Sequence, residues 1–144
     1  KILDIGCGKG FLLFEFKKLL PGCEIRGLDI SGYAIENAKE EVKSFILKGH
    51  ANSLPFENDY FDLIISLNTL HNLYCYDLKK SLIEIERVSK QNKYICVESY
   101  RNEHERINLL YWQVTCECFF TPDEWKWWFK ESGYNGDHSF IYFE

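Results

Sequence analysis

The chain opens on a short strand-like run, Lys1–Ile5, with Ile2, Leu3 and Ile5 apolar, and further short runs recur at Glu24–Ile30, Phe45–Lys48, Phe61–Leu67, which is nearly all apolar, and Tyr94–Val97. Short apolar, β-branched runs predict strands, and runs without strict alternation predict burial on both faces of a sheet. Between them the spacing becomes helical. Gly10–Leu20 carries a first helical pattern that ends at Pro21-Gly22, and Ser31 is placed to cap a second, in which Ala34, Ile35, Ala38 and Val42 share a face. Asp77 is placed to cap a third, with Leu78, Leu82, Ile85 and Val88 along one side. Such alternation predicts a doubly wound α/β domain: a mostly parallel sheet between two helical layers, joined by right-handed crossovers.

After Tyr100 the rhythm breaks. Arg101–Arg106 is polar and charged, and Ile107–Phe120 reads as an aromatic-rich insertion. Thr121-Pro122-Asp123-Glu124 then announces a helix, with a capping-box threonine and a proline suited to the first turn. Trp125, Trp128 and Phe129 form its apolar face, Trp127 falls off that face, Gly133 ends it, and Ser139–Glu144 is the last predicted strand. No repeat or linker divides residues 1–144, so the reading is one domain.

Composition narrows the class. A hydrophobic fraction of 46% over 144 residues supports one sizeable core. The net charge of -5 argues against a nucleic-acid surface, which needs a basic patch, and no stretch nears the ~18 apolar residues of a membrane span. The six cysteines are scattered without a Cys-x-x-Cys pair, which disfavours a disulfide framework or a metal site and suggests a reducing, cytoplasmic setting. The chain has no methionine and begins directly in a strand, so a preceding N-terminal segment is expected to be missing.

The chemistry centres on Asp4-Ile5-Gly6-Cys7-Gly8-Lys9-Gly10, between the first strand and first helix, where an α/β sheet binds its ligand. A dinucleotide fingerprint begun at Gly6 needs glycine at position 11, which is Phe11, and no Gly-Lys-Ser/Thr completes a phosphate loop. What remains is D-x-G-x-G-x-G.

That pattern resembles motif I of the class I S-adenosylmethionine (SAM)-dependent methyltransferases, and the resemblance extends over about residues 1 to 100. Gly27-Leu28-Asp29-Ile30-Ser31 looks like the family's second motif. Gly49-His50-Ala51-Asn52-Ser53-Leu54-Pro55-Phe56 followed by Asp59-Tyr60-Phe61-Asp62 resembles the "G-D-A-x-x-L-P-F…F-D" stretch of the type 11 subgroup, which includes the ubiquinone/menaquinone methyltransferases. The resemblance implies SAM as cofactor and S-adenosylhomocysteine as product, held by Asp4, Gly6, Cys7, Gly8, Gly10, Asp29, Ile30, His50, Ala51, Asn52 and Asn68. Asp4 suits the cationic sulfonium and ammonium, and Asp29 can accept from both ribose hydroxyls. Ile30 would pack on the adenine, and Ala51 and Asn52 would meet its edge. His50 stands where the family has Asp, and a neutral imidazole can still accept through one ring nitrogen. The "L-K-P-G-G" turn of the family is here Ser89-Lys90-Gln91-Asn92-Lys93.

The acceptor side draws on Asn68, His71, Tyr100, Arg101, Glu103 and His104, past the ends of the fourth and fifth strands. By its place in the resembled family, His71 opens on the substrate pocket and is the expected base if a hydroxyl is methylated. Nucleobase amino-methyltransferases carry an Asn/Asp-Pro-Pro-aromatic tetrad where this chain has Asn68-Thr69-Leu70-His71. With the acidic charge, that favours a small-molecule acceptor and no nucleic acid. The competing readings are a catalytically silent SAM-binding regulator and, disfavoured by Phe11, a nicotinamide oxidoreductase; a purely structural module would not need an intact ligand loop.

Overall fold

The computed structural model describes residues 1–144. In chain order the elements are β1 (Ile2–Ile5), α1 (Phe11–Leu19), β2 (Ile25–Asp29), α2 (Gly32–Glu36), α3 (Glu40–Lys43), β3 (Ile46–Lys48), β4 (Phe61–Leu67), a 3-10 turn (Leu70–Asn72), α4 (Cys75–Val88), β5 (Ser89–Glu98), α5 (Glu103–Trp112), α6 (Pro122–Glu131) and β6 (Asp137–Ile141). The six strands form one sheet in the order β3-β2-β1-β4-β5-β6, and every pairing is parallel.

Strand alternation distributes two cores. On one face Leu3 and Ile5 of β1 join Ile64, Ile95, the inner row of α4, and Trp125 and Phe129 of α6. On the other, Ile2 packs with Leu13, Ile25, Val42 and Ile46 beneath α1–α3. The period of two puts Asp4 on the Ile2 face. Burying each large side chain such as Trp125 or Leu82 completely contributes roughly 1.5–3 kcal/mol.

Several boundaries differ from the sequence reading. The second helix is two short ones, because the Lys39 N–H turns aside to donate to the Lys9 carbonyl at 3.0 Å. Ser31 does cap α2, accepting from the Ala34 N–H. Asp77 is not a cap: α4 starts after Tyr74, and Asp77 sits in the first turn, where the helix dipole favours a carboxylate. β5 begins at Ser89, since polar residues pair with β4 around an irregularity between Phe61 and Leu63. The charged stretch after Tyr100 is the start of α5, capped by the Asn102 side chain accepting from the Glu105 N–H at 3.0 Å. β6 lies earlier than expected, at Asp137–Ile141, paired from Tyr94↔Asp137 to Glu98↔Ile141. The capping box of α6 forms with both reciprocal bonds, and Trp127 lies exposed.

The order of the strands fixes where a ligand can sit. From β1 the chain winds outward through β2 to β3, then returns to the other side of β1 as β4. The chain leaves β1 and β4 for opposite faces of the sheet, α1 covering one and α4 the other, which leaves a crevice at the strand ends. The long connection from β3 to β4 closes one side of it. Arg87 of α4 holds that connection, donating to the carbonyls of Phe56 at 2.8 Å and Leu54 at 3.0 Å, while Glu84 accepts from the Leu54 N–H at 2.7 Å.

Candidate functional site

A cavity of about 350 Å3 opens at this switch point. Ile5 and Gly6 line it from the end of β1, Leu28, Asp29 and Ile30 from β2, Ala51 from the β3–β4 connection, and Asn68, Thr69, Asn72 and Leu73 from the segment after β4. A floor of aliphatic side chains with a few convergent polar groups is the usual make-up of a small-molecule site.

The glycine loop is built for close approach. Gly6, Gly8 and Gly10 all have left-handed φ, at 77°, 52° and 74°. At Gly6 a Cβ would lie 1.9 Å from Thr69 Oγ1, so only glycine lets the loops after β1 and β4 touch. The loop turns back on β2: the Gly6 and Cys7 N–H groups donate to the Leu28 carbonyl at 2.7 and 3.3 Å. Asp29 anchors it further, one carboxylate oxygen accepting from the Gly8 N–H at 2.7 Å and the other from the Ser31 N–H at 2.8 Å. Each oxygen keeps a free lone pair, so the carboxylate is oriented yet still able to accept.

Asp4 is buried, and while its backbone pairs within the sheet, its carboxyl has no hydrogen-bond partner in the chain. Desolvation, reinforced by the negative charge of Asp29, raises its pKa to about 7. An unpaired buried carboxyl is a costly arrangement that a cationic ligand group would relieve. Burial, with Asp4 and Asp29 nearby, pushes the Cys7 thiol up to about 12, so Cys7 stays protonated and packs as a small apolar residue.

Not every expected residue meets the cavity. Asp4, Cys7, Gly8 and Gly10 flank the cavity without lining it, and His50 is exposed and absent from the lining. Asn52 is also absent from the lining, its amide donating to Asp77 at 2.7 Å. The largest departure is His71, expected at the pocket mouth and found wholly buried. Its Nδ1 accepts from the Glu98 N–H at 3.3 Å, its Nε2 lies 3.4 Å from a Glu98 carboxylate oxygen, and its carbonyl receives the N–H groups of Glu117 and Cys118. Burial pushes its pKa down to about 4, so the imidazole is neutral, and burial also raises the pKa of Glu98. The reason is local geometry: in a 3-10 turn successive side chains point about 120° apart, so when position 71 faces the core, position 72 faces the cavity. Asn72, Thr69 and Leu73 were not singled out by the sequence reading. On the acceptor side, Arg101 pairs with Glu105 and Glu144, Glu103 pairs with Arg106, and His104 is exposed beside Asn108.

Comparison with known proteins gives this architecture a family. The profile Methyltransf_31, described as a methyltransferase domain, matches residues 1–133. The uncharacterized methyltransferase YcgJ of Bacillus subtilis is 32% identical over 72% of this chain and 42% of its own length. Its crystal structure superposes with a TM-score of 0.73 at 25% identity, covering 91% of this chain and 60% of that one. A methyltransferase bound to the Trm112 methyltransferase activator of Haloferax volcanii gives a TM-score of 0.74 at 25% identity, covering 92% of this chain and 60% of that one. A tRNA (carboxymethyluridine(34)-5-O)-methyltransferase of Arabidopsis thaliana is 32% identical over 76% of this chain and 26% of its own length. The chain thus spans between about a quarter and 60% of the length of these relatives. With the glycine loop, the anchored Asp29 and the switch-point cavity in place, it belongs to the methyltransferase-domain family, among the class I SAM-dependent methyltransferases.

Proposed function

We propose that the chain binds SAM in the switch-point cavity and transfers its methyl group to a small-molecule acceptor. The observation that carries this reading is Asp29, a carboxylate oriented by two backbone N–H groups at the cavity edge with acceptor capacity to spare. Its geometry suits a ribose diol. Asp4, buried without a partner, suits the ammonium or sulfonium, and the exposed Ile30 and buried Ala51 supply apolar contact for adenine. No phosphate cradle is called for, and Phe11 occupies the place of the glycine a dinucleotide would need.

When bound, SAM supplies an electrophilic methyl carbon on a cationic sulfur. The chain's own part is to orient that group and the acceptor in line, and such positioning lowers a barrier without any proton transfer. Asn68, Thr69 and Asn72 form the polar wall that an acceptor would meet. His71 is assigned no proton transfer in this reading, because its side chain is buried against Glu98. The net charge of -5 and the absence of the proline tetrad support a small-molecule acceptor over a nucleic acid. Six unpaired cysteines suit a cytoplasmic setting.

The test has two arms. Calorimetric titration should show S-adenosylhomocysteine binding and no NAD binding, with Asp29→Ala weakening the former roughly ten- to a hundredfold. Unchanged affinity in that variant would overturn the site. Turnover with SAM is then measured on small metabolites, on tRNA and on protein acceptors; activity on tRNA alone would replace the acceptor class while leaving the cofactor assignment standing.

A further inference from the structure

We propose that Cys75 and Cys118 form a redox-modification site that closes to an intrachain disulfide and fastens the 113–118 segment to the start of α4. Their Sγ atoms lie 3.9 Å apart although the residues are 43 positions apart in the chain. Cys75 is half-buried at the first position of α4 and reachable by a small oxidant, whereas Cys118 is fully buried behind it. A disulfide needs its sulfurs at ~2.05 Å. The remaining approach is a short side-chain movement at a helix end.

The segment is already held in position for this. The Glu117 and Cys118 N–H groups donate to the His71 carbonyl at 2.9 Å each, Thr115 Oγ1 donates to Asn72 at 2.9 Å, and the Gln113 amide donates to Glu98 at 2.6 Å. Cys118 also donates its S–H to the Leu73 carbonyl at 3.0 Å. Leu73 and Asn72 line the cavity, so conversion of that thiol to a disulfide removes one of the bonds that hold the cavity wall.

The oxidant is a low-molecular-weight disulfide. The Cys75 thiolate attacks one of its sulfurs, forming a mixed disulfide and releasing one small thiolate. Cys118 sulfur then attacks Cys75 Sγ, its proton passing to the second departing small thiolate. Two protein thiols are oxidised and one small disulfide is reduced to two thiols. Burial and the neighbouring Cys75 hold the Cys118 thiol above its ordinary pKa, which slows the second step, while the fixed 3.9 Å separation favours it.

The experiment incubates the full chain with oxidised glutathione, alkylates the remaining thiols, and maps peptides by mass spectrometry. Of the six cysteines, two should become protected, in one peptide pair joining Cys75 to Cys118, and dithiothreitol should release them. The oxidised protein should melt at higher temperature, because a long loop of the unfolded chain is then closed. Cys116→Ser should still cross-link, and Cys75→Ser should not. Six free thiols after oxidation, glutathione retained on Cys75, a cross-link through another cysteine, or an unchanged melting temperature would each overturn the proposal.

Discussion

Replacing Asp4 by asparagine keeps the shape of the side chain and removes its ability to ionise. The carboxyl goes from 3.8 in the unfolded chain to about 7 in the fold, because burial and the charge of Asp29 both oppose its ionised form. A carboxyl whose folded pKa is raised stabilises the fold fully below about pH 4 and loses that contribution as pH rises through about 7. Three units at ~1.36 kcal/mol each set a limit of about 4 kcal/mol, of which about 2–3 kcal/mol falls between pH 5 and pH 8. The asparagine side chain carries none of this dependence. Relative to the wild type, Asp4→Asn should therefore gain about 2–3 kcal/mol of stability on going from pH 5 to pH 8. Urea unfolding of both proteins across that range measures it, and taking the difference cancels groups common to both, such as His71. A difference that stays flat with pH would refute the reasoning. The same variant should bind SAM about tenfold more weakly, since the cation loses its carboxylate. A more stable protein that binds less well would mark Asp4 as a residue kept for function at a cost to the empty fold.

Gly6→Ala should lower the melting temperature and abolish S-adenosylhomocysteine binding by calorimetry, since a left-handed φ of 77° costs alanine ~1–2 kcal/mol and its Cβ would lie 1.9 Å from Thr69 Oγ1. Adding Thr69→Gly should recover part of the stability by removing the clash. His71→Ala should cost about 3 kcal/mol in urea unfolding, by opening a cavity and leaving the Glu98 N–H without its acceptor; an unchanged midpoint would exclude the buried role. Thr121→Ala should cost about 1 kcal/mol, measured the same way, through loss of the α6 capping box.

The strands and the glycine loop were legible in the sequence because their causes are local. A parallel strand packed between two helical layers has to be largely apolar, as Phe61–Leu67 is apart from Asp62 and Ser66, and a loop that turns with three left-handed residues has to be glycine-rich. Asp29 was legible for a similar reason, being the one carboxylate at the end of β2. What failed depended on partners distant in sequence. Nothing near His71 announces that Glu98 and the 117–118 backbone will enclose it, and the family position suggested the opposite direction. The 3-10 turn that sends Asn72 outward instead has no strong composition of its own. Helix α5 is a different kind of miss: Asn102 with Glu105 three residues on was a readable N-terminal signal, hidden by the density of charge around it. The family resemblance puts Asn52 at the adenine edge, and its donation to Asp77 only becomes visible when α4 packs against the loop.

Arg87 lies outside the cavity lining, yet it bears on what binding there requires. A long connection that hung free would lose conformational freedom whenever a ligand settled against Ala51, and that loss would be subtracted from affinity. Here the freedom is already given up on folding, because one guanidinium holds the Leu54 and Phe56 carbonyls and the Asn58 side chain together. A lysine at this position would keep the charge and lose the planar fork that holds these partners at once. The cavity's apparent affinity is in this sense partly stored in α4, where a change that touches no ligand atom would surface as an entropic penalty on binding.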